Sequence, residues 1–538
     1  MGTARIVASS DNCIPSDKED GTISYDIEAS TRQGKTRNIY DGEDSTVDPV
    51  YQAKARILND AFQDIGMGKY QWYLFIVTGF GWYSDNLWPT VTALILSSVM
   101  NEFSVQGPFL KLGQGIGLLV GAACSGVASD VWGRRWCFNA TLFVTGVFAL
   151  ASGASSNYVT LCSLTAAFNV GVGGNLPVDS AVFLEFIPAS HQYLLTILSV
   201  WWAIGQLIGS LVAWPLLANY SCASASDCPR SSNQGWRYLL YSMGGLFMLL
   251  FVFRFAFNVY ESPKYLMGRG RDEKAVEIAH RVAKYNGKEC KLTVDMLKKA
   301  GDLEILENEE ENNTTGRMDT SARAAALRAI RKLSATHIKA LFRTRKLAYT
   351  TSLLVVEWAL IGLAFPLYSG FIPYFLQTRG ADFGDGSAYI TYRNQVIISV
   401  IGIPGALIAG WMVELPYLGR KGSLAVSTVI TGAFLFASTT ARTSNALLGW
   451  NCAYTFTSNI MYGVLYAVSP ELFPTKDRGT GNALVSTANR IFGIMAPIIA
   501  LYANLATAVP IYVAAALFVV AGLVAFLLPF EPMGKASV

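Results

Sequence analysis

Twelve apolar runs, each long enough to cross a lipid bilayer as a helix, fill most of the sequence between residues 72 and 530. They lie at roughly 72–98, 108–128, 136–155, 159–187, 192–218 and 235–257, then at 348–377, 390–413, 422–440, 448–470, 482–507 and 509–530. A hydrocarbon core is about 30 Å thick, and roughly 20 apolar residues cross it as a helix. No water is available there to bond the backbone, so only helices and closed barrels can span it. The runs are continuous and do not alternate in polarity, which selects helices over barrel strands. Charged residues make up 15% of the chain, whereas soluble domains carry about 25%. The expected fold class is therefore an all-α membrane protein with twelve transmembrane helices.

The polar stretches divide the chain. Residues 1–70 carry few apolar groups and read as a disordered cytoplasmic tail. Residues 71–257 and 348–530 each hold six spans, 258–347 form a large cytoplasmic loop, and 531–538 a short cytoplasmic tail. Lys and Arg in the short breaks (Arg134, Arg135, Arg420, Lys421, Lys476 and Arg478) mark the cytoplasmic side, so both termini are expected inside. The plasma membrane is the default location, with the vacuolar membrane behind it. The basic stretch Arg323 to Lys346 reads as a helix that either lies on anionic headgroups or simply spaces the two halves. On the outer side, Cys222 and Cys228 flank a loop where a disulfide is compatible with an oxidising exterior, and Asn219-Tyr-Ser221 is a glycosylation sequon.

Other classes are disfavoured by the same reading. The net charge of +4 is small and unclustered, which argues against nucleic-acid binding. Eight cysteines without a CxxC pair give no zinc or redox site, and there is no GxxxxGK[ST] loop for nucleotide hydrolysis. Neither an enzyme nor a cofactor or metal is expected, and the protein is expected to act as a monomer.

An internal duplication is written into two short motifs. Gly133-Arg-Arg135 recurs as Gly419-Arg-Lys421, and Glu185-Phe-Ile-Pro188 as Glu471-Leu-Phe-Pro474, both 286 positions later. A six-plus-six repeat implies two pseudo-symmetric six-helix bundles with a solute site between them, and transport by rocking one against the other.

These motifs resemble a known family. Asp130-Val-Trp-Gly-Arg-Arg135 resembles the major facilitator loop between the second and third helices. Tyr260-Glu-Ser-Pro-Lys-Tyr-Leu266 and Pro470-Glu-Leu-Phe-Pro-Thr-Lys-Asp-Arg-Gly479 are similar to sugar-porter motifs after the sixth and tenth helices. Gly79-Phe-Gly-Trp-Tyr-Ser-Asp85-Asn and Gly171 to Asp179 look most like fungal members related to synaptic-vesicle-2-type and organic-ion transporters. The resemblance implies the major facilitator fold and a cytoplasmic gate of Asp130, Gly133, Arg134, Arg135, Glu185, Glu471, Arg478 and Arg490. It pairs Glu185 with Arg478. Where sugar porters carry an arginine after the fourth helix this chain has Gln192, which takes from Glu471 its usual partner.

A charge facing lipid near the bilayer centre costs about 2.5–3.5 kcal/mol on the gentlest scale, so deep ionisable residues should face the cavity or each other. The deep candidates are Asp85, Asp179, Glu357 and Arg490. Asp85, with Trp82, Tyr83 and Asn86 around it, is a proton or cation site, or else a fixed hydrogen-bond acceptor. Asp179 follows Asn175 and Pro177 and serves either the cavity or helix packing. Glu357 and Arg490 read as a pair within the second half, and Tyr368, Trp201, Trp202 and Trp411 as aromatic candidates for the cavity wall. The leading expectation is a proton-coupled secondary transporter for a small organic solute: an organic acid, a nicotinate-like ring acid or a sugar-like metabolite. The alternatives are a proton-antiport exporter of toxins or secondary metabolites, and a non-transporting membrane sensor.

Overall fold

The computed structural model describes residues 49–529 apart from 106, 189–190, 192–193, 223–227, 258, 311–338, 340, 385, 414, 416, 474–477 and 504–506. Within that set twelve helices have 18 or more residues: α1 Lys69–Leu94, α2 Pro108–Trp132, α3 Arg134–Gly153, α4 Tyr158–Phe186, α5 Val200–Asn219, α6 Gly235–Phe257, α7 Arg345–Ser369, α8 Ala388–Met412, α9 Gly419–Ser438, α10 Ser444–Leu472, α11 Arg478–Tyr502 and α12 Val509–Phe526. Among the described residues nine are apolar enough by themselves to cross a membrane. Helices α1, α2 and α10 each carry polar side chains that line a central cavity.

The duplication is visible in the geometry. Helices α4 and α10 begin and end 286 positions apart (158 to 444, 186 to 472). Each opens on a side-chain cap: Asn157 accepts from the Thr160 N–H, and Thr443 from the Ala446 N–H. Each leaves through an extended residue, Ile187 or Phe473. Gly133 and Gly419, which open α3 and α9, both take positive φ (+102° and +60°), a conformation that a side chain disfavours. Helices α1–α6 pack with one another, as do α7–α12, and the two halves meet along α2 with α11 and α5 with α8. On the second of these seams Ser210 and Ser399 share a 2.9 Å hydrogen bond.

At the Gly133 end the structure departs from the expected polar tail. Residues Pro49–Ile65 form a helix. Leu58, Phe62 and Ile65, spaced to share one face, are buried with Ala279, Val282 and Leu297 of the helices Asp272–Tyr285 and Val294–Glu310. Lys54 pairs with Asp272 at 2.6 Å, and Lys288 donates to the Ile65 carbonyl at 2.7 Å. Asn286 accepts from the Tyr70 N–H and donates to Gln71, whose amide donates in turn to the Phe186 carbonyl. The low apolar content that argues for disorder belongs to residues 1–48, outside the described set. An amphipathic helix had been averaged into them, and its partners lie more than 200 positions away. The basic stretch beyond residue 322 also lies mostly outside the described residues.

At the other end, Cys222 and Cys228 are joined by a disulfide. Beside it Glu102 receives Arg237 at 2.6 Å together with Trp236 and Asn233. Burial works to raise the Glu102 carboxyl, but the hydrogen bonds from these three side chains outweigh it and hold it below the ordinary carboxylate range. The clamp therefore contributes at neutral pH and is lost as pH falls through that lowered value.

Phe62 is 3% exposed and meets Phe186 edge-on at 5.9 Å. Phe62→Ala is expected to destabilise the purified protein by about 3–5 kcal/mol, the range for a buried aromatic, read as a fall in the detergent melting temperature. A disordered tail would give no shift.

Candidate functional site: a chamber between the two halves

The chamber arises where polar side chains from six or more helices turn toward the pseudo-symmetry axis instead of toward lipid. It measures about 200 Å³ and is lined from both halves: Asp85, Asn86 and Thr90 of α1, Lys111 and Gln114 of α2, and Trp202 and Gln206 of α5. Facing them are Phe365 of α7, Gln395 of α8, Asn459, Tyr462 and Tyr466 of α10, and Asn489 and Arg490 of α11.

Its centre is an ion pair between the halves. Arg490 donates to Asp85 at 2.8 Å, with the side chains 17% and 12% exposed. This corrects two expectations. Arg490 does not pair with Glu357, and it sits in the chamber instead of at a gate at the end of the bundle. Glu357 is buried on α7 away from the chamber lining, with no hydrogen-bond partner for either oxygen among the described residues. Asn86 donates to the Trp202 carbonyl at 3.1 Å. One turn from Asp85 toward the Gly133 end, Trp82, Trp202, Tyr466 and Trp358 form a continuous aromatic floor. Ring centroids lie 4.8 Å apart from Trp82 to Trp202, Trp202 to Tyr466 and Tyr466 to Trp358. Trp358 is fixed by donating to Ser469 at 2.7 Å.

Asn175 and Asp179 lie outside the chamber. They are fully buried inside the first half, where Asn175 donates to Ser84. Asp179 pairs at 2.5 Å with Arg254 of α6, both side chains being 0% exposed. Arg254 also donates to the Phe138 carbonyl at 2.6 Å and the Val77 carbonyl at 2.8 Å, so one guanidinium joins α1, α3, α4 and α6. A β-carbon at Gly81 would strike the Asp179 carboxylate, which explains the glycine there. Tyr83 stacks on Phe247 in the same interior, and Tyr368 donates to Asn451 inside the second half. Trp411 is 64% exposed on the outer surface of α8, not on the cavity wall.

At the Gly133 end, Arg134 pairs with Glu185, and the Glu261 carboxylate accepts from the Arg134 and Arg135 N–H groups at 2.8 and 3.3 Å. Glu261 thus caps α3, where the helix dipole favours an anion. Glu185 thus meets an arginine of its own half. The side chains of Asp130, Glu471 and Arg478, the expected partner of Glu185 among them, and residue Gln192 lie outside the described residues.

Lys111 and Arg254 are site residues that reasoning from the sequence did not single out. The signal was present, since each is an ionisable group inside an apolar run. Both lie within a turn of a run's end, where long basic side chains ordinarily reach out to the interface. Only the fold shows them turned inward.

Removing one partner of a buried ion pair costs about 3–5 kcal/mol, while replacing both by apolar groups is often neutral. Asp179→Leu or Arg254→Met alone is therefore expected to lower the melting temperature sharply. The double variant should recover most of the loss, and a double variant as unstable as the singles would refute this account of the pair.

The profile of the Major Facilitator Superfamily matches residues 72–414. "MFS siderochrome iron transporter 1" of Ceriporiopsis subvermispora is 56% identical, over 92% of this chain and 94% of that protein. "Major facilitator-type transporter hxnZ" of Emericella nidulans is 39% identical, over 92% of this chain and 89% of its own length. Among solved structures, the xylose transporter XylE from E. coli superposes with a TM-score of 0.63 over 87% of this chain and 99% of its own, at 17% identity, a likeness of fold. The chain belongs to the Major Facilitator Superfamily: it is a multi-pass membrane transporter of the secondary kind, built as two six-helix bundles, and not an enzyme.

Proposed function

We propose that this protein is a proton-coupled carrier of a small organic solute, working by alternating access, with Asp85 as the group that takes the proton. The observation that carries the reading is the Asp85–Arg490 pair. It crosses the chamber from α1 to α11 and is partly exposed to it. Protonating Asp85 removes the anion that holds Arg490, so the proton's arrival and the bond between the halves are one equilibrium. One charge moving through 100 mV carries about 2.3 kcal/mol, enough to drive accumulation.

The basic residues of the Gly133 end support an orientation with that end and both termini in the cytoplasm, and with the disulfide and Asn219 outside. Asn219 is exposed at the end of α5 and suits a glycan. The plasma membrane is the location this reading favours, and a monomer is its working unit. A chamber of about 200 Å³ walled by amides and aromatic rings suits a ring acid or sugar-sized solute. A relative's name includes siderochrome iron. Direction of transport is separated by comparing retention of the solute in cells with and without the gene.

Asp85→Asn reconstituted in liposomes, with a labelled solute identified by a growth screen, is expected to abolish pH-driven accumulation while leaving counterflow. Accumulation that persists unchanged would remove Asp85 from the role.

A further inference from the structure

Three charged side chains line the chamber, and two of them cancel. Asp85 and Arg490 form their 2.8 Å pair, which leaves Lys111. Lys111 is 7% exposed and makes no ion pair with a carboxylate among the described residues. Its Nζ donates to the Pro89 carbonyl at 2.7 Å and to the Gln114 side-chain oxygen at 3.1 Å. An ammonium has three donors, so one N–H is left over. When Lys111 carries its proton, the described walls hold one positive charge without an opposite one, which burial makes expensive until an anion meets it.

The neighbouring glutamine is oriented by that contact. A lysine can only donate, so the Gln114 oxygen must face it, and the amide nitrogen is turned the other way. Gln114 is 5% exposed and lines the same chamber, and its nitrogen makes no hydrogen bond among the described residues. Two neighbouring buried residues therefore present free donors, the remaining N–H of the Lys111 ammonium and the amide N–H groups of Gln114, three positions apart on α2 and hence on one face. A carboxylate has two acceptor oxygens and a single negative charge. It would satisfy both donors and neutralise the wall in one step.

The opposite lining is aromatic: Phe365, Tyr462 and Tyr466, with Phe365 and Tyr462 edge-on at 4.9 Å. Such walls bury a flat apolar body. We propose that Lys111 and Gln114 form the subsite that grips the solute's carboxylate, so that this carrier takes monoanionic carboxylates with a small ring or short apolar body in preference to neutral or cationic solutes. The proposal rests on the carrier reading above and names its substrate class. It also gives the solute a physical link to the proton site. Lys111 is held by the Pro89 carbonyl, one turn along α1 from Asp85, so a carboxylate that draws Lys111 toward itself loosens a contact of the helix that carries the proton acceptor.

The test uses the full-length protein, purified in detergent, with binding measured by calorimetry in chloride-free buffer. The probes are a panel of aromatic and short aliphatic monocarboxylates, including nicotinate and benzoate, each set against its neutral amide; a neutral sugar, an organic cation and chloride complete it. The wild type is expected to bind at least one carboxylate over its amide. Lys111→Met should erase that preference by roughly ten- to hundredfold, the weight of a charge-assisted hydrogen bond, and Lys111→Arg should keep part of it. Gln114→Leu should weaken the carboxylate and leave the amide nearly unchanged. Melting temperatures without ligand check that each variant is folded, and a Lys111→Met chain that fails this check leaves Lys111→Arg and Gln114→Leu to decide.

Equal binding of acid and amide, a preference that survives in Lys111→Met, binding of chloride alone, or failure of every carboxylate would each overturn the subsite. Liposome transport separates the two readings. Movement of a neutral or cationic solute untouched by Lys111→Met would sink the anion subsite and leave the carrier standing. Lys111-dependent carboxylate binding without any pH-driven accumulation would sink the proton-coupled carrier and leave the subsite.

Discussion

Arg254 and Asp179 are both fully buried and hold each other at 2.5 Å, in a part of the molecule where neither charge could survive alone. The guanidinium also takes the Val77 and Phe138 carbonyls, so four helices of the first half converge on one side chain. Desolvating such a group is tolerable only when acceptors meet most of its donors, as they do at both terminal nitrogens of Arg254. That requirement fixes how α1 lies against α4, and Gly81 supplies the close approach. The direction of α1 in turn decides what Asp85, one turn further along, can face.

Helix α1 thus carries two kinds of electrostatic contact. Near Gly81 it meets a pair with no exposure, internal to its own half and built to stay. At Asp85 it meets Arg490 of the other half, with both side chains partly exposed to the chamber. Partly solvated pairs break and reform at modest cost, whereas dry ones do not. At the Gly133 end Glu261, just beyond α6, caps α3, and Arg134 pairs with Glu185 of the same half. The Pro49–Ile65 helix and its partners continue this packing beyond the spans.

Much of this was legible in the chain. Continuous apolar runs specify helices because the bilayer forbids unbonded backbone, and the twelve runs correspond one by one to the twelve long helices. The 286-residue offset of two short motifs carried the duplication, and α4 and α10 reproduce it at both ends. Asp85 and Asn86 were legible as chamber residues because a carboxylate mid-span has few other places to go. The Pro49–Ile65 helix was not, since its apolar stripe makes sense only against helices more than 200 residues away.

What the sequence by itself determined is therefore membership of a class: a bundle of twelve spans in two related halves, with costly charges kept from lipid. Which charge meets which was decided by tertiary structure alone. Arg490 could serve Glu357 or Asp85, and Asp179 could face the chamber or Arg254, on sequence grounds equally. The reason is that an ion pair depends on distances of a few ångströms between side chains from different helices. Periodicity along a helix gives the face on which a residue lies, and only the packing of the helices gives what stands opposite.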